Sequence, residues 1–131
     1  MTNPELPEDV EDVKELAGRL FNMAREGDET LLAYVDAGVP VDLANQDGNT
    51  LLMLAAYAGR AALVRALVER GADVDKLNDR GQAPLAGAIF KKEDDVVDAL
   101  LDAGASATAG TPSPVDTARM FGREDLLDRL R

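Results

Sequence analysis

The apolar positions of this chain fall into short clusters parted by small polar breaks. Between 50 and 57, Leu51, Leu52, Leu54, Ala55 and Ala56 give a nearly continuous apolar surface, which predicts a short helix buried on most sides. Thr50 precedes it and is expected to cap it by accepting a hydrogen bond from a first-turn backbone N–H. From 61 to 70, Leu63, Val64, Leu67 and Val68 stand at i, i+1, i+4 and i+5, a single stripe on the helical period. Arg60, Arg65, Glu69 and Arg70 fall mostly off that stripe, so the second helix has a wet side. Gly71 stops it, because glycine takes the left-handed conformation that closes a helix at little cost. Ala72-Asp73-Val74-Asp75 then leads away in extended form to Asn78-Asp79-Arg80-Gly81, a turn in which a side chain bonds its own backbone.

This helix–helix–turn unit repeats at a fixed period. Moved forward by one period, Gly48 falls on Gly81, Leu52 on Leu85, Ala55 on Ala88, Val64 on Val97, Leu67 on Leu100 and Gly71-Ala72 on Gly104-Ala105. A unit of this size cannot bury its own apolar faces and needs neighbours on both sides, which predicts an all-α stack.

Asp47-Gly48-Asn49-Thr50-Leu51-Leu52-Met53-Leu54-Ala55-Ala56 resembles the opening of an ankyrin repeat, and Gly71-Ala72-Asp73-Val74-Asp75 resembles its close. The resemblance implies an all-α ankyrin solenoid of about four stacked repeats with short hairpin loops. Departures from the family pattern stand out. Leu51 replaces the usual proline, and the usual histidine is Met53, Ala86 and Asp116 in successive repeats, so the hydrogen-bond network that this histidine joins is expected to be missing. Lys92 replaces the glycine between two helices and is expected to adopt a strained left-handed conformation.

Along the chain, residues 1–6 read as a flexible end and 7–131 as one repeat domain, divided at about 7–44, 45–77, 78–109 and 110–131. Pro7-Glu8-Asp9 is expected to open the first helix, whose apolar face is Val13, Leu16, Ala17, Leu20, Phe21 and Ala24. A second helix runs from about Asp28 to Ala37, closed by Gly38. This opening segment, its first helix acidic on one side, reads as the N-terminal cap. In the last repeat Ser113-Pro114-Val115 marks the start of a helix. Gly122, Leu126 and Leu130 lie just short of two periods beyond Gly59, Leu63 and Leu67, so the last hairpin is expected to be trimmed.

A hydrophobic fraction of 46% predicts a folded chain, and 4% aromatics leave its core to Leu, Val and Ala. Fourteen basic against 25 acidic residues give a net charge of −11. That field disfavours nucleic acid and anionic membranes as partners and suits solubility or a protein partner with a basic surface. Cysteine and histidine are both absent, which removes disulfides, thiolate chemistry, His triads and His metal ligands. The acidic N-terminus lacks the features of a secretory signal, and no apolar run approaches the ~20 residues needed to cross a bilayer, so a cytoplasmic location is expected. Abundant Ala, a preference for Arg and a lone isoleucine, Ile89, hint at a bacterial source.

No phosphate cradle or nucleophile elbow is present, and no catalytic residue, cofactor or metal is predicted. The acids Glu93-Asp94-Asp95 read as dipole-stabilising residues of a first helical turn rather than as a metal cluster. The resemblance places partner recognition on the hairpin tips and on the exposed end of each first helix, which line a concave face. In this chain the tips are Gln46, Asp47 and Asn49, then Leu77, Asp79, Arg80 and Gln82. The helix ends are Tyr57 and Ala58, then Phe90 and Lys91, with Arg25, Glu26, Met120 and Phe121 in register. Tyr57 and Phe90 stand one repeat apart and are expected to be exposed interface anchors, the alternative for Phe90 being packing against the next repeat. Met120 and Phe121 read either as contact residues or as a seal on the last repeat. For Arg25 and Arg80 a solvated surface role is expected ahead of a binding one.

The expected function is non-enzymatic protein–protein binding. The resemblance also allows an accessory of a stress-response enzyme such as a catalase. The charge allows an acidic inhibitor or immunity protein seated in a basic groove. Apolar residues near the C-terminus leave a weak homodimer open.

Overall fold

The computed structural model describes Pro4, Leu6 and residues 10–130. Pro7-Glu8-Asp9, most of the expected flexible end and Arg131 lie outside the described residues. Eight helices follow one another among the described residues: α1 Val10–Glu26, α2 Thr30–Asp36, α3 Leu51–Tyr57, α4 Ala61–Glu69, α5 Pro84–Phe90, α6 Asp94–Asp102, α7 Pro114–Met120 and α8 Glu124–Arg129. They pack as four antiparallel pairs, with α1, α3, α5 and α7 side by side in one layer and α4 beside α6 in the other. This is an all-α repeat solenoid. Among the described residues the only strand-like pairing is an isolated antiparallel bridge between Ala44 and Thr50 at the root of a hairpin.

The local signals act as expected. The Thr50 hydroxyl accepts the Met53 N–H at 3.1 Å and satisfies one orphan donor of α3. Gly71 closes α4 at φ +91°. Lys92 holds φ +60°, the left-handed conformation its place between α5 and α6 demands. The core is aliphatic: Leu20, Leu31, Leu51, Leu52, Leu63 and Leu67 are fully buried, with Leu85, Ile89, Val96 and Leu100 continuing it into the next pair.

One expectation needs correction. Val13 belongs by periodicity to the apolar face of the first helix, yet it is 45% exposed. The 17-residue α1 is longer than the 7-residue α3 it packs on; Leu16, Leu20 and Ala24 are buried and Phe21 packs against the core, while Val13, a turn nearer the start of the helix, is left open. Leu126 and Leu130 are buried in the core, and the open apolar side chains of that region are Met120 and Phe121, where α7 ends and turns.

The pairs are also tied by polar contacts. The Asp42 carboxylate accepts the Asp73 N–H at 3.0 Å, and one repeat further on Asp75 accepts the Ser106 N–H at 2.8 Å. On the outer layer four arginines reach to acids of the neighbouring pair: Arg70 to Asp36 at 2.8 Å, Arg65 to Asp102 at 3.0 Å, Arg123 to Asp94 at 3.1 Å and Arg129 to Asp98 at 2.7 Å.

Candidate functional site

The hairpin tips owe their shape to two asparagines one repeat apart. The Asn45 side-chain oxygen accepts the N–H groups of Asp47 and Asn49, both at 3.0 Å. The Asn78 oxygen does the same for Arg80 and Gln82, again at 3.0 Å. The Asn78 amide also donates to Asn49 Oδ1 and Gln82 Oε1, each at 2.9 Å. Asn78 thereby makes a polar link between repeats in a chain that has no histidine to make one. Main-chain bonds join the tips directly: Asp79 N donates to Asp47 O at 3.1 Å, and Thr111 N donates to Gly81 O at 2.9 Å.

Behind the tips, Tyr57 lies across Gly87 in the middle of α5. A Cβ added to Gly87 would overlap the edge of the tyrosine ring at Cε1 and stand 2.6 Å from Cζ. Only the absence of a side chain there lets the ring settle on the neighbouring helix. Its hydroxyl reaches Gln82 Oε1 at 3.4 Å, a long bond. Burial pushes the Tyr57 phenol above its ordinary pKa, with the positive charge of Arg80 pulling the other way. Phe90 is 61% exposed and sets its ring edge-on to Phe121, with centroids 5.6 Å apart and planes at 72°. Of the two aromatics expected to be exposed, Phe90 is open and Tyr57 is half-buried between repeats.

These residues frame a cavity of about 320 Å³. Tyr57, Arg80, Gln82, Phe90 and Lys91 line it, together with Ala86, Gly87, Pro112, Thr117 and Met120. On the other side of Tyr57 a smaller hollow of about 160 Å³ is lined by Asp47, Asn49, Asn78, Arg80 and Gln82. Gln46 and Asp47 also border a wide groove against α1, with Lys14, Arg19 and Arg25 on its far wall. Leu77 is 42% exposed and abuts the backbone of the next tip near Gly110. Asp79 is exposed, its carboxylate turned to Gly48 of the preceding tip. Ala58 caps α3 and lines none of these hollows.

The surface is electrostatically divided. On the outer layer, arginine hydrogen bonds hold the Asp36 and Asp125 carboxyls below the usual range, from Arg70 and Arg123 respectively. In the cavity the charged lining residues are Arg80 and Lys91, and no carboxylate is among them. Neither cation forms an ion pair among the described residues. Among the described residues no His, Cys, Asp or Glu group is arranged to hold a metal ion. No helix there is long and apolar enough to cross a membrane. Aromatic surface, amide donors and positive charge in one hollow suit recognition.

Sequence reasoning missed Gly87, Pro112 and Thr117 as lining residues and Asn45 as the shaper of its tip, whereas the turn at Asn78, in which a side chain bonds its own backbone, was anticipated. A glycine inside an otherwise apolar helical run was a usable signal for Gly87, since such a residue commonly has a packing reason. The recurrence of asparagine at 45 and 78, one period apart, was another.

A family model described as ankyrin repeats, three copies, matches residues 20–110, well over half of the chain. A curated Pseudomonas aeruginosa protein named as an ankyrin repeat protein is 39% identical over 66 residues. That match covers 50% of this chain and 39% of the relative's length. The repeat period, the paired helices of the solenoid and the family match agree: the chain belongs to the ankyrin repeat family, whose members are generally protein–protein interaction modules and typically not enzymes.

Proposed function

We propose that the chain is a non-enzymatic binding module that holds a partner protein along the groove between its hairpin tips and the ends of its first helices. The contact set is Gln46, Asp47, Asn49, Tyr57, Ala58, Leu77, Asp79, Arg80, Gln82, Phe90 and Lys91. One observation carries the reading. Phe90 and Met120, 61% and 65% exposed, stand open beside a preformed cavity, a cluster that water alone does not favour. Exposed aromatic and methionine side chains at a hollow are typical anchors, and a rigid groove loses little entropy on binding. The absence of His and Cys agrees with a role in binding rather than turnover.

The test is an affinity pull-down from lysate of the source cell, with wild type and Phe90→Ala as paired baits. Phe90 suits this purpose better than Tyr57, because Tyr57 also packs one repeat on the next. A stoichiometric protein kept by wild type and lost with Phe90→Ala supports the groove. A partner retained equally by both refutes it. The identity of that protein also separates an enzyme accessory from an inhibitor or immunity role.

A further inference from the structure

The net charge of −11 points at long range to a basic partner, yet the cavity is locally positive. Of the chain's arginines, Arg65, Arg70, Arg123 and Arg129 are engaged by acids on the outer layer. Arg80 and Lys91 carry no such partner among the described residues, and both line the cavity with Tyr57, Phe90 and Met120. The acids nearby form no ion pair with either cation among the described residues. Asp79 turns to Gly48, Asp116 pairs with Arg119 at 3.5 Å, and Asp47 lines the smaller hollow that Arg80 also borders. At physiological salt charges are screened over roughly 8 Å, so contact in the cavity is governed by the two cations within it rather than by the sum over the chain.

Resting on the groove reading above, we propose that the occupant of this cavity is an acidic peptide segment of a partner protein. An apolar side chain of that segment sits among Tyr57, Phe90 and Met120, and an adjacent carboxylate pairs with Arg80 and Lys91. The volume, about 320 Å³, is at the low end of the roughly 300–1,000 Å³ of ligand hollows and suits one or two side chains. Arg80 supplies a planar fork matched to a carboxylate, and Lys91 supplies a mobile point charge at the rim. The −11 background slows the approach of an acidic chain without removing the paired contact, so selectivity lies in the dissociation rate.

The experiment is selection of random displayed heptapeptides on the full chain at physiological salt. Enriched peptides are then measured by fluorescence anisotropy against wild type, Phe90→Ala and the Arg80→Glu/Lys91→Glu double variant. Both cations are exposed, so circular dichroism is expected to show the double variant folded. The expected result is enrichment of Asp or Glu beside Leu, Ile or Phe. Affinity should fall about tenfold or more in the charge-reversed protein, as lost charge pairing and new repulsion require. Basic or uncharged peptides that are lost in Phe90→Ala overturn the acidic occupant and leave the groove in place. Acidic peptides that bind the double variant as tightly as wild type overturn the pairing with Arg80 and Lys91. Enrichment of nothing that depends on Phe90 overturns both.

Discussion

Gly87→Ala offers a sharp test of the inter-repeat packing, because the same methyl group has opposite effects depending on Tyr57. In a helix interior Ala is favoured over Gly by about 1 kcal/mol. Here, however, the added Cβ occupies the space of the Tyr57 ring, so the ring must leave. A fully buried aromatic removes roughly 200 Å² from water, and half of that at ~25 cal/mol per Å² is about 2.5 kcal/mol. Set against the helical gain, Gly87→Ala should destabilise wild type by about 1.5 kcal/mol. That is a fall in Tm of about 5 °C for a chain of this size. In a Tyr57→Ala background the clash is gone, and the same substitution should stabilise by up to about 1 kcal/mol. Thermal and urea unfolding of the four proteins, followed by far-UV circular dichroism, closes the double-mutant cycle. A coupling of about 2.5 kcal/mol with a change of sign is expected. The same sign in both backgrounds would refute the account of Gly87 as the seat of Tyr57.

Asn78→Ala removes the acceptor for the Arg80 and Gln82 N–H groups and the donor to Asn49 at a site only 8% exposed. It should lower unfolding stability by about 2 kcal/mol, and a loss below ~0.5 kcal/mol would show the network to be dispensable. Asp36 titrates below its ordinary range in the fold because Arg70 hydrogen-bonds it. Its contribution is therefore full above the unfolded value, about pH 4, and is lost as pH falls through the folded value. Asp36→Asn should flatten the dependence of Tm on pH below about pH 4 while leaving the neutral-pH slope alone; parallel curves would contradict this. Lys92→Gly relieves a left-handed residue at φ +60° and should raise stability by about 0.5–1 kcal/mol in urea unfolding, whereas a decrease would mean that the side chain makes compensating contacts.

The fold was legible because its determinants are local and repeated. Thr50 and Gly71 bound their helices by their own chemistry, and Lys92 takes the conformation its register demands. Leu63, Val64 and Leu67 face inward because of their spacing. The tip positions came with the register as well. What sequence could not supply were the relations between units that are not one period apart. Tyr57 meets Gly87 a little short of one period on, and Arg80 shares a hollow with Pro112 and Thr117 through the altered spacing of the last repeat. Val13 escapes the pattern for a related reason, since periodicity gives a face but not the length of the helix beside it.

The bonds from Asp79 N to Asp47 O and from Thr111 N to Gly81 O are made by main-chain atoms alone. Successive tips are thus spaced by donors that every residue type except proline can supply. The side chains at 47, 79 and 111 carry none of that spacing. Variation at these tips can redirect what the surface recognises while the ribbon that presents it keeps its pitch. At 47, 79 and 111 the pitch is written on main-chain atoms, whereas Asn49, Asn78 and Gln82 commit their side chains to the tips and are less free to change.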